Sequence, residues 1–328
     1  MAMPSVFRSA LRSWRGLLVS LALVGALAAL PWFSGFATQR LLVEVFTVFA
    51  IAMAWNLLAG FGGLVVVGLH VFVGVGAYAL FFLSNQLGWN PWATLPLAMG
   101  VTGLFAALTA LPMFRLNGAH FAVGTWVLAE LMRILVLNSD ALGAGGGMPL
   151  VTLAGFSRSD RNLGTYWAAL AVAVLALFWA RGLLKSSLGL ALAGIRDSEP
   201  AARASGVAVT RARLLLWLMC ACLSGLAGAI AYMNTLQVSP DASFGLSWTA
   251  MAIFISVLGG IGHIEGAVIG TVIFFALRES SADYGVWYFV ALGLIAIVTM
   301  VLSPQGAWGL VRRRWPDLDP LRTRRWMP

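Results

Sequence analysis

A chain that does chemistry of its own needs nucleophiles, metal ligands or a phosphate cradle at workable spacings. A P-loop needs a glycine-rich turn that closes on Gly-Lys-Ser/Thr, so that backbone amides and one lysine hold the phosphates. The one lysine, Lys185, is followed by Ser186 but preceded by Leu184, which excludes that device. Serines occur with His and Asp elsewhere, yet no Gly-x-Ser-x-Gly elbow is present. Cys220 and Cys222 point to different faces of a helix and have no second pair, so they read as small buried hydrophobes rather than a metal or disulfide site. His70, His120 and His263 are far apart and His70 has no carboxylate nearby, so no metal is expected. What remains are polar groups set in apolar runs. Asn56, His70, and Glu130 with Arg133 on one helix face are the candidates for lining a solute path, because charges inside a membrane often mark one. The bland alternatives stay open: a helix–helix hydrogen bond for Asn56, and an ion pair near the membrane surface for Glu130 and Arg133. Glu44 reads as an outer-interface residue.

The elements that must position these groups follow from composition. Of 328 residues, 60% are hydrophobic and 10% are charged, with mean hydropathy +0.89. Soluble domains average about 45–50% apolar and about 25% charged residues, so this is a polytopic membrane protein. A span needs about 20 apolar residues. Ten candidate segments fit: 17–36, 41–59, 63–83, 91–111, 116–137, 163–184, 212–236, 246–260, 264–279 and 285–302. The fold class expected is all-α, a transmembrane bundle of about eight to ten spans. The segment 63–83 carries Gly63, Gly68, Gly74 and Gly76, and 246–260 ends in Gly259-Gly260-Ile261-Gly262. Each is a candidate for a broken or re-entrant helix, tolerable where protein or a water-filled cavity satisfies the freed backbone.

Net charge is +9, but the arginines sit at the ends of apolar runs, which is the mark of topology selection rather than nucleic-acid binding. With the N-terminus cytoplasmic and all ten segments crossing, sixteen basic residues fall inside, against Arg40, Arg158, Arg161 and Arg278 outside. Both termini are then cytoplasmic. The expected organisation is a cytoplasmic tail over 1–16, a transmembrane domain over 17–310 and a basic cytoplasmic tail over 311–328. The first apolar run reads as a retained span rather than a secretory signal. Gly225-x-x-Gly228 and Gly266-x-x-x-Gly270 read as close helix packing.

The inner loop over 185–211 is the most informative stretch. It reads as two short helices outside the bilayer. Asp197 and Ser198 offer caps for the second, Pro200 suits its first turn, Glu199 favours its positive end and Gly206 stops it. A membrane protein has little reason to build such an element unless a soluble partner docks there.

Glu199-Pro-Ala201-Ala202-Arg-Ala-Ser-Gly206 resembles the coupling loop of ABC-importer permeases, in the spacing of the branched-chain amino acid (LivM-type) branch. The resemblance extends through Ala54-Trp-Asn56-Leu-Leu-Ala-Gly60, Phe72-Val-Gly74-Val-Gly76, Phe114-Arg-Leu-Asn-Gly118, Ala129-Glu130-Leu-Met-Arg133, Ser224-Gly225-Leu-Ala-Gly228, Val257-Leu-Gly-Gly260-Ile-Gly262 and Ser303-Pro304-Gln-Gly306. It implies a non-enzymatic transport subunit of the inner membrane that binds no cofactor itself. ATP and Mg would sit on two partner ATPases gripping Arg196, Asp197, Glu199, Ala201, Ala202 and Gly206. It further implies a second, related permease chain in a heterodimer, and a periplasmic binding protein that delivers the solute. The chain departs from the family at Val66, Leu69 and His70, where a serine and then a glutamine or histidine are usual. That departure leaves the solute open between branched-chain amino acids, urea and other small polar molecules. The competing function is a stand-alone secondary transporter or channel, which would bury coupling carboxylates mid-membrane; Glu130 alone is available.

Overall fold

A computed structural model describes residues 24–153, 155–280, 287–302 and 305–314. The expected tail over 1–16, the first seven residues of the expected span over 17–36, Ser303-Pro304 and all but the first four residues of the tail over 311–328 lie outside the described residues.

The bundle comprises α1 (Phe36–Asn56), α2 (His70–Leu87), α3 (Pro91–Met113), α4 (Ala119–Leu137), α5 (Arg158–Lys185), α6 (Ser187–Asp197), α7 (Glu199–Ala204), α8 (Val209–Thr235), α9 (Pro240–Ser243), α10 (Ser247–Gly259), α11 (Ile264–Ser280), α12 (Trp287–Leu302) and α13 (Gly306–Arg314). Seven helical stretches among the described residues are long and apolar enough to cross a membrane; α11 and α12, at 17 and 16 residues, fall short of that length. The ends follow sequence chemistry. Asn90 caps α3, accepting from Trp92 N–H, with Pro91 in the first turn, and Ser157 caps α5 through Asp160 N–H. Gly88 ends α2 in the left-handed conformation at φ 64°. A two-residue ladder that the all-helical expectation did not include pairs Met148 with Val238 and Pro149 with Gln237. It ties the loop after α4 to the end of α8.

The core is α1, α2 and α8, with α3, α5 and α10 packed around them. Trp217 on α8 is fully buried; its ring lies 5.0 Å from Phe72, 6.0 Å from Phe114 and 5.9 Å from Phe121, and its Nε1 donates to the Ala106 carbonyl. One indole thereby joins α2, α3, α4 and α8, with its single donor satisfied. Helix approach is set by glycines. A Cβ on Gly76 would lie 2.1 Å from the Gly225 carbonyl oxygen, and one on Gly228 would lie 2.4 Å from that of Val73, so α2 and α8 meet backbone to backbone. Gly270 and Gly266 do the same for α11 against Ile255 and Gly260. By contrast α4 packs through a single stripe, Phe121, Thr125, Ala129 and Val136, leaving Val123, Trp126, Val127 and Leu131 exposed.

The expected segment 63–83 is broken. Helix begins only at His70; 64–66 is non-helical after Gly63, whose φ is 65°, with a bend at Val67 and a turn of helical geometry at Leu69. Burial alternates over 64–66, Leu64 and Val66 inward and Val65 54% exposed, as an extended strand requires. The expected span 246–260 is a 13-residue helix preceded by the short α9.

The backbone contact at Gly76 has no side chain to yield. Gly76→Ala is expected to lower stability by about 1–3 kcal/mol, the usual cost of overpacking, or more. Gly100→Ala, which meets nothing within 4 Å, is expected to be neutral or stabilising. Thermal unfolding of the purified variants in detergent separates the two.

Candidate functional site: the lever and the junction beneath it

The site is built on α6 and α7, which lie between the two long helices α5 and α8. Ser186 caps α6, accepting from Gly189 N–H, and Ser198 caps α7 through Ala201 N–H. The end of α7 is a Schellman turn: Gly206 N–H donates to Arg203 O and Val207 N–H to Ala202 O, with Gly206 at φ 82°. The sequence-derived helix, cap and stop therefore stand where expected. Leu192 and Ile195 bury α6 against the bundle, and Ala202 buries α7. Pro200, Ala201, Ala204, Ser205 and Gly206 are exposed, giving a low-relief edge of small residues.

Glu199 holds this edge in register. It bonds Arg203 one turn on at 2.6 Å and Arg213 at the start of α8 at 2.8 Å. Burial opposes its ionisation, but the hydrogen bond from Arg203 and the charge of Arg213 prevail and hold its carboxyl below the usual carboxylate range. Arg213 was not singled out by sequence reasoning. A signal existed: arginines in the first turn of a helix oppose the dipole, and so call for a carboxylate nearby.

Beneath the lever, four chain segments meet. The turn that continues α1 beyond Asn56, Leu57–Phe61, is wound wide and serves as the last turn of α1, with Gly62 N–H reaching back to Leu57 O and Leu64 N–H to Leu58 O. Arg196 Nη1 donates to the Gly60 carbonyl at 3.1 Å, while its Nε and Nη2 hold Asp197. Asn56, fully buried, spends both ends of its amide on the α10–α11 turn: Nδ2 donates to His263 O and Oδ1 accepts from Gly262 N–H, each at 2.8 Å. A Cβ on Gly60 would lie 2.5 Å from Gly262 N, and one on Gly306 would lie 2.3 Å from Gly260 N, so only glycines let these backbones touch. Asn56 is thus a bridge between helices here, and it does not line the cavity described next.

A cavity of about 510 Å³ opens beside the lever. Gly63, Leu64 and Val65 form one wall, the α3–α4 connection from Phe114 to Ala119 another, and Glu199, Arg203 and Arg213 the rim. The remaining path candidates, His70, Glu130 and Arg133, lie outside this cavity, and of them only His70 is buried. His70 heads α2 at the break, 2% exposed, with Nδ1 and its backbone N–H both on Thr249 Oγ1 at 2.9 and 3.1 Å. Glu130 and Arg133 pair, at 2.7 Å, and Arg133 also bonds Asp241 of α9. Asp241 has no sequence signal, since it lies 108 residues away. Glu44 pairs with Arg278 across α1 and α11.

The described chain is a bundle of apolar helices broken beside a capped, exposed pair of short helices, and its sequence is similar to those of known proteins. The profile of the family described as branched-chain amino acid transport system / permease component matches residues 37–302. The chain belongs to that family. The high-affinity branched-chain amino acid transport system permease protein LivM of Salmonella typhimurium is 31% identical over 288 residues, 80% of this chain and 68% of that protein. The probable branched-chain amino acid transport permease LivH of Methanocaldococcus jannaschii is 27% identical, covering 72% and 80%. The ribose import permease RbsC of Escherichia coli is 25% identical over 53% of this chain and 58% of its own length. No solved structure matches. The chain is therefore a multi-pass membrane permease subunit, a transport component.

Asn56→Leu removes both amide bonds and strands a peptide N–H and a carbonyl at the α10–α11 turn. Leaving such groups unsatisfied costs about 1–3 kcal/mol each, so this variant is expected to be among the least stable, read by its melting temperature in detergent. Glu199 supplies a pH signature. Its folded value lies below its ordinary value of 4.5, so the stability it contributes is present above pH 4.5 and is lost as pH falls through the folded value. Melting temperature is expected to be insensitive to this group near neutrality and to drop at acid pH, a drop that is smaller in Glu199→Gln.

Proposed function

We propose that this chain is the translocating subunit of an ATP-driven importer for branched-chain amino acids or a related small polar solute, with α6 and α7 as the lever on which ATPase subunits pull. The observation that carries this reading is the lever itself. A six-residue helix is capped at both ends, braced by a twice-paired glutamate, and left with a rim of small exposed residues suited to fitting another protein's groove. Because the chain has no P-loop of its own, the ATP and Mg belong to two docked ATPases, which contact Glu199, Ala201 and Gly206. The lever face is then cytoplasmic, the bundle sits in the inner membrane with both termini inside, and the loop over 138–162, with its Met148–Pro149 ladder to Gln237–Val238, faces the periplasmic binding protein.

Closure of the ATPases displaces the lever and the helices continuous with it, α5 and α8, so that access alternates between the two faces. A second permease completes the path. The exposed α4 face supports this partner, since its Glu130 and Arg133, with Asp241 of α9 bonded beside them, carry a net negative charge. A central charge facing hydrocarbon costs about 2.5–3.5 kcal/mol even on the mildest scale, so a protein or aqueous surface is the better cover. On this reading His70, Glu130 and Arg133 are the groups that meet solute, once motion of the bundle uncovers His70. The relatives named for amino acids and for ribose favour selection of the solute by the binding protein.

Glu199→Arg combined with Gly206→Asp sets a third cation against Arg203 and Arg213 and strains the left-handed stop. Affinity purification of the tagged chain from cells expressing its neighbouring transport genes is expected to lose the ATPase, and amino acid uptake with it. Retention of both by the double variant rules the lever reading out.

A further inference from the structure

Beyond the buried faces of Leu192, Ile195 and Ala202 and the Glu199–Arg213 pair, the lever is tied to the bundle through one further polar contact. Arg196, the penultimate residue of α6, reaches under it to the Gly60 carbonyl at the end of α1. Asp197 holds the other edges of the same guanidinium, at 3.1 and 3.2 Å, so the fork is oriented rather than free to swing. The acceptor is well chosen electrostatically, because terminal helix carbonyls carry the negative end of the dipole. Two structures hang on that turn. Asn56, four residues back, grips the α10–α11 turn, and the extended segment that follows forms a cavity wall at Gly63, Leu64 and Val65. The Gly63 position lies against the lever as well, with a built Cβ 3.8 Å from Arg196 Cα.

Resting on the reading above that a motor grips α7, we propose that Arg196 is a positioning residue that pins the lever to the last turn of α1. Displacement of α6 and α7 then moves the cavity wall directly, in parallel with α5 and α8. The wide turn over Leu57–Phe61 supplies the give. Rewinding it to regular α-helix removes one residue from the turn and advances the chain beyond by about 1.5 Å, the helical rise per residue. Gly60 is held between the arginine above and Gly262 below, so a pull on its carbonyl is shared with the α10–α11 turn rather than absorbed by a side chain.

The test uses the whole transporter, both permeases with ATPases, reconstituted in proteoliposomes with its binding protein. It measures amino acid imported per ATP hydrolysed, together with the ATPase content of the purified complex. Arg196 is half-exposed, so truncation opens no cavity, and Arg196→Met serves should Arg196→Gln purify poorly. Arg196→Gln is expected to lower the import ratio at least fivefold while the complex keeps its ATPases; Arg196→Lys, which retains a donor and charge, is expected to recover half or more. An unchanged ratio in Arg196→Gln and Arg196→Met overturns the pin. So does loss of the ATPases, which makes Arg196 part of the docking surface instead. If the Glu199→Arg, Gly206→Asp complex also imports normally, the lever reading has failed and the pin with it; a dead Glu199 variant beside an unaffected Arg196 variant removes the pin alone.

Discussion

An apolar surround offers no water to backbone N–H and C=O groups, so any chain that leaves helical geometry inside the bundle must be satisfied by protein. The segment between α1 and α2 is where that constraint bears hardest. Trp55 Nε1 donates to Val66 O, Thr125 Oγ1 accepts from Gly68 N–H, Leu58 O takes Leu64 N–H, and Thr249 Oγ1 takes the amide of His70. These partners come from α1, α4 and α10, so the break can exist only where those three helices already stand. Much else follows from it. The extended residues wall the cavity, α2 begins deep in the bundle with a histidine at its head, and Gly68 presses on the α4 backbone, where a Cβ would lie 1.8 Å from the Thr125 carbonyl oxygen. That contact is one of the few that hold α4 to the rest.

The energetics of the lever are of a different kind. Its ion pairs are partly solvated, and such pairs contribute about 0–1 kcal/mol. Glu199 therefore does little for global stability while doing much for geometry, since one carboxylate fixes α7 to its own second turn and to the start of α8. The Ser198 cap and the Gly206 turn add about 1 kcal/mol of local preference between them. A lever built this way is stiff within itself and lightly fastened below, held by the alanine side of α7, the apolar face of α6 and the Arg196 contact. The buried junction is the opposite. Asn56 is fully desolvated, and breaking its two bonds strands polar groups that have no water to turn to. Deformation is thus directed toward the wide turn and the extended wall, away from the Asn56 bridge.

How much of this was legible in the sequence depends on how far each interaction reaches. Local features were readable. The lever helices, the Ser198 cap, the Gly206 stop and the apolar spans all depend on residues within a few positions of one another. The glycine-rich start of the expected 63–83 span marked a break without fixing where helix resumes, because that point is set by Thr249 on a helix 179 residues away. Asn56 was visible as an anomaly in an apolar run, and the bland alternative, a bond to a neighbouring helix, describes its contacts; the turn it serves lies more than 200 residues downstream. Glu130 and Arg133 were legible as a pair through helical spacing, but Asp241 was not. The Arg196 contact was hidden for another reason. Its acceptor is a backbone carbonyl, and carbonyls leave no trace in side-chain identity.

That last point bears on what this architecture can and cannot specify. The interactions that make the machine — glycine crossings, carbonyl acceptors, a capped lever — are written mostly in backbone and small residues, which carry no information about a solute. Relatives named for amino acids and for ribose match this chain, as expected if the mechanical parts are kept while the chemistry of the cargo changes. Solute chemistry can act only through the few polar side chains that do not hold the fold together. Asn56 and Thr125 are committed to backbone and leave that set. His70, whose ring is shared with Thr249 at the head of α2, and Glu130, exposed on the least packed helix, remain in it.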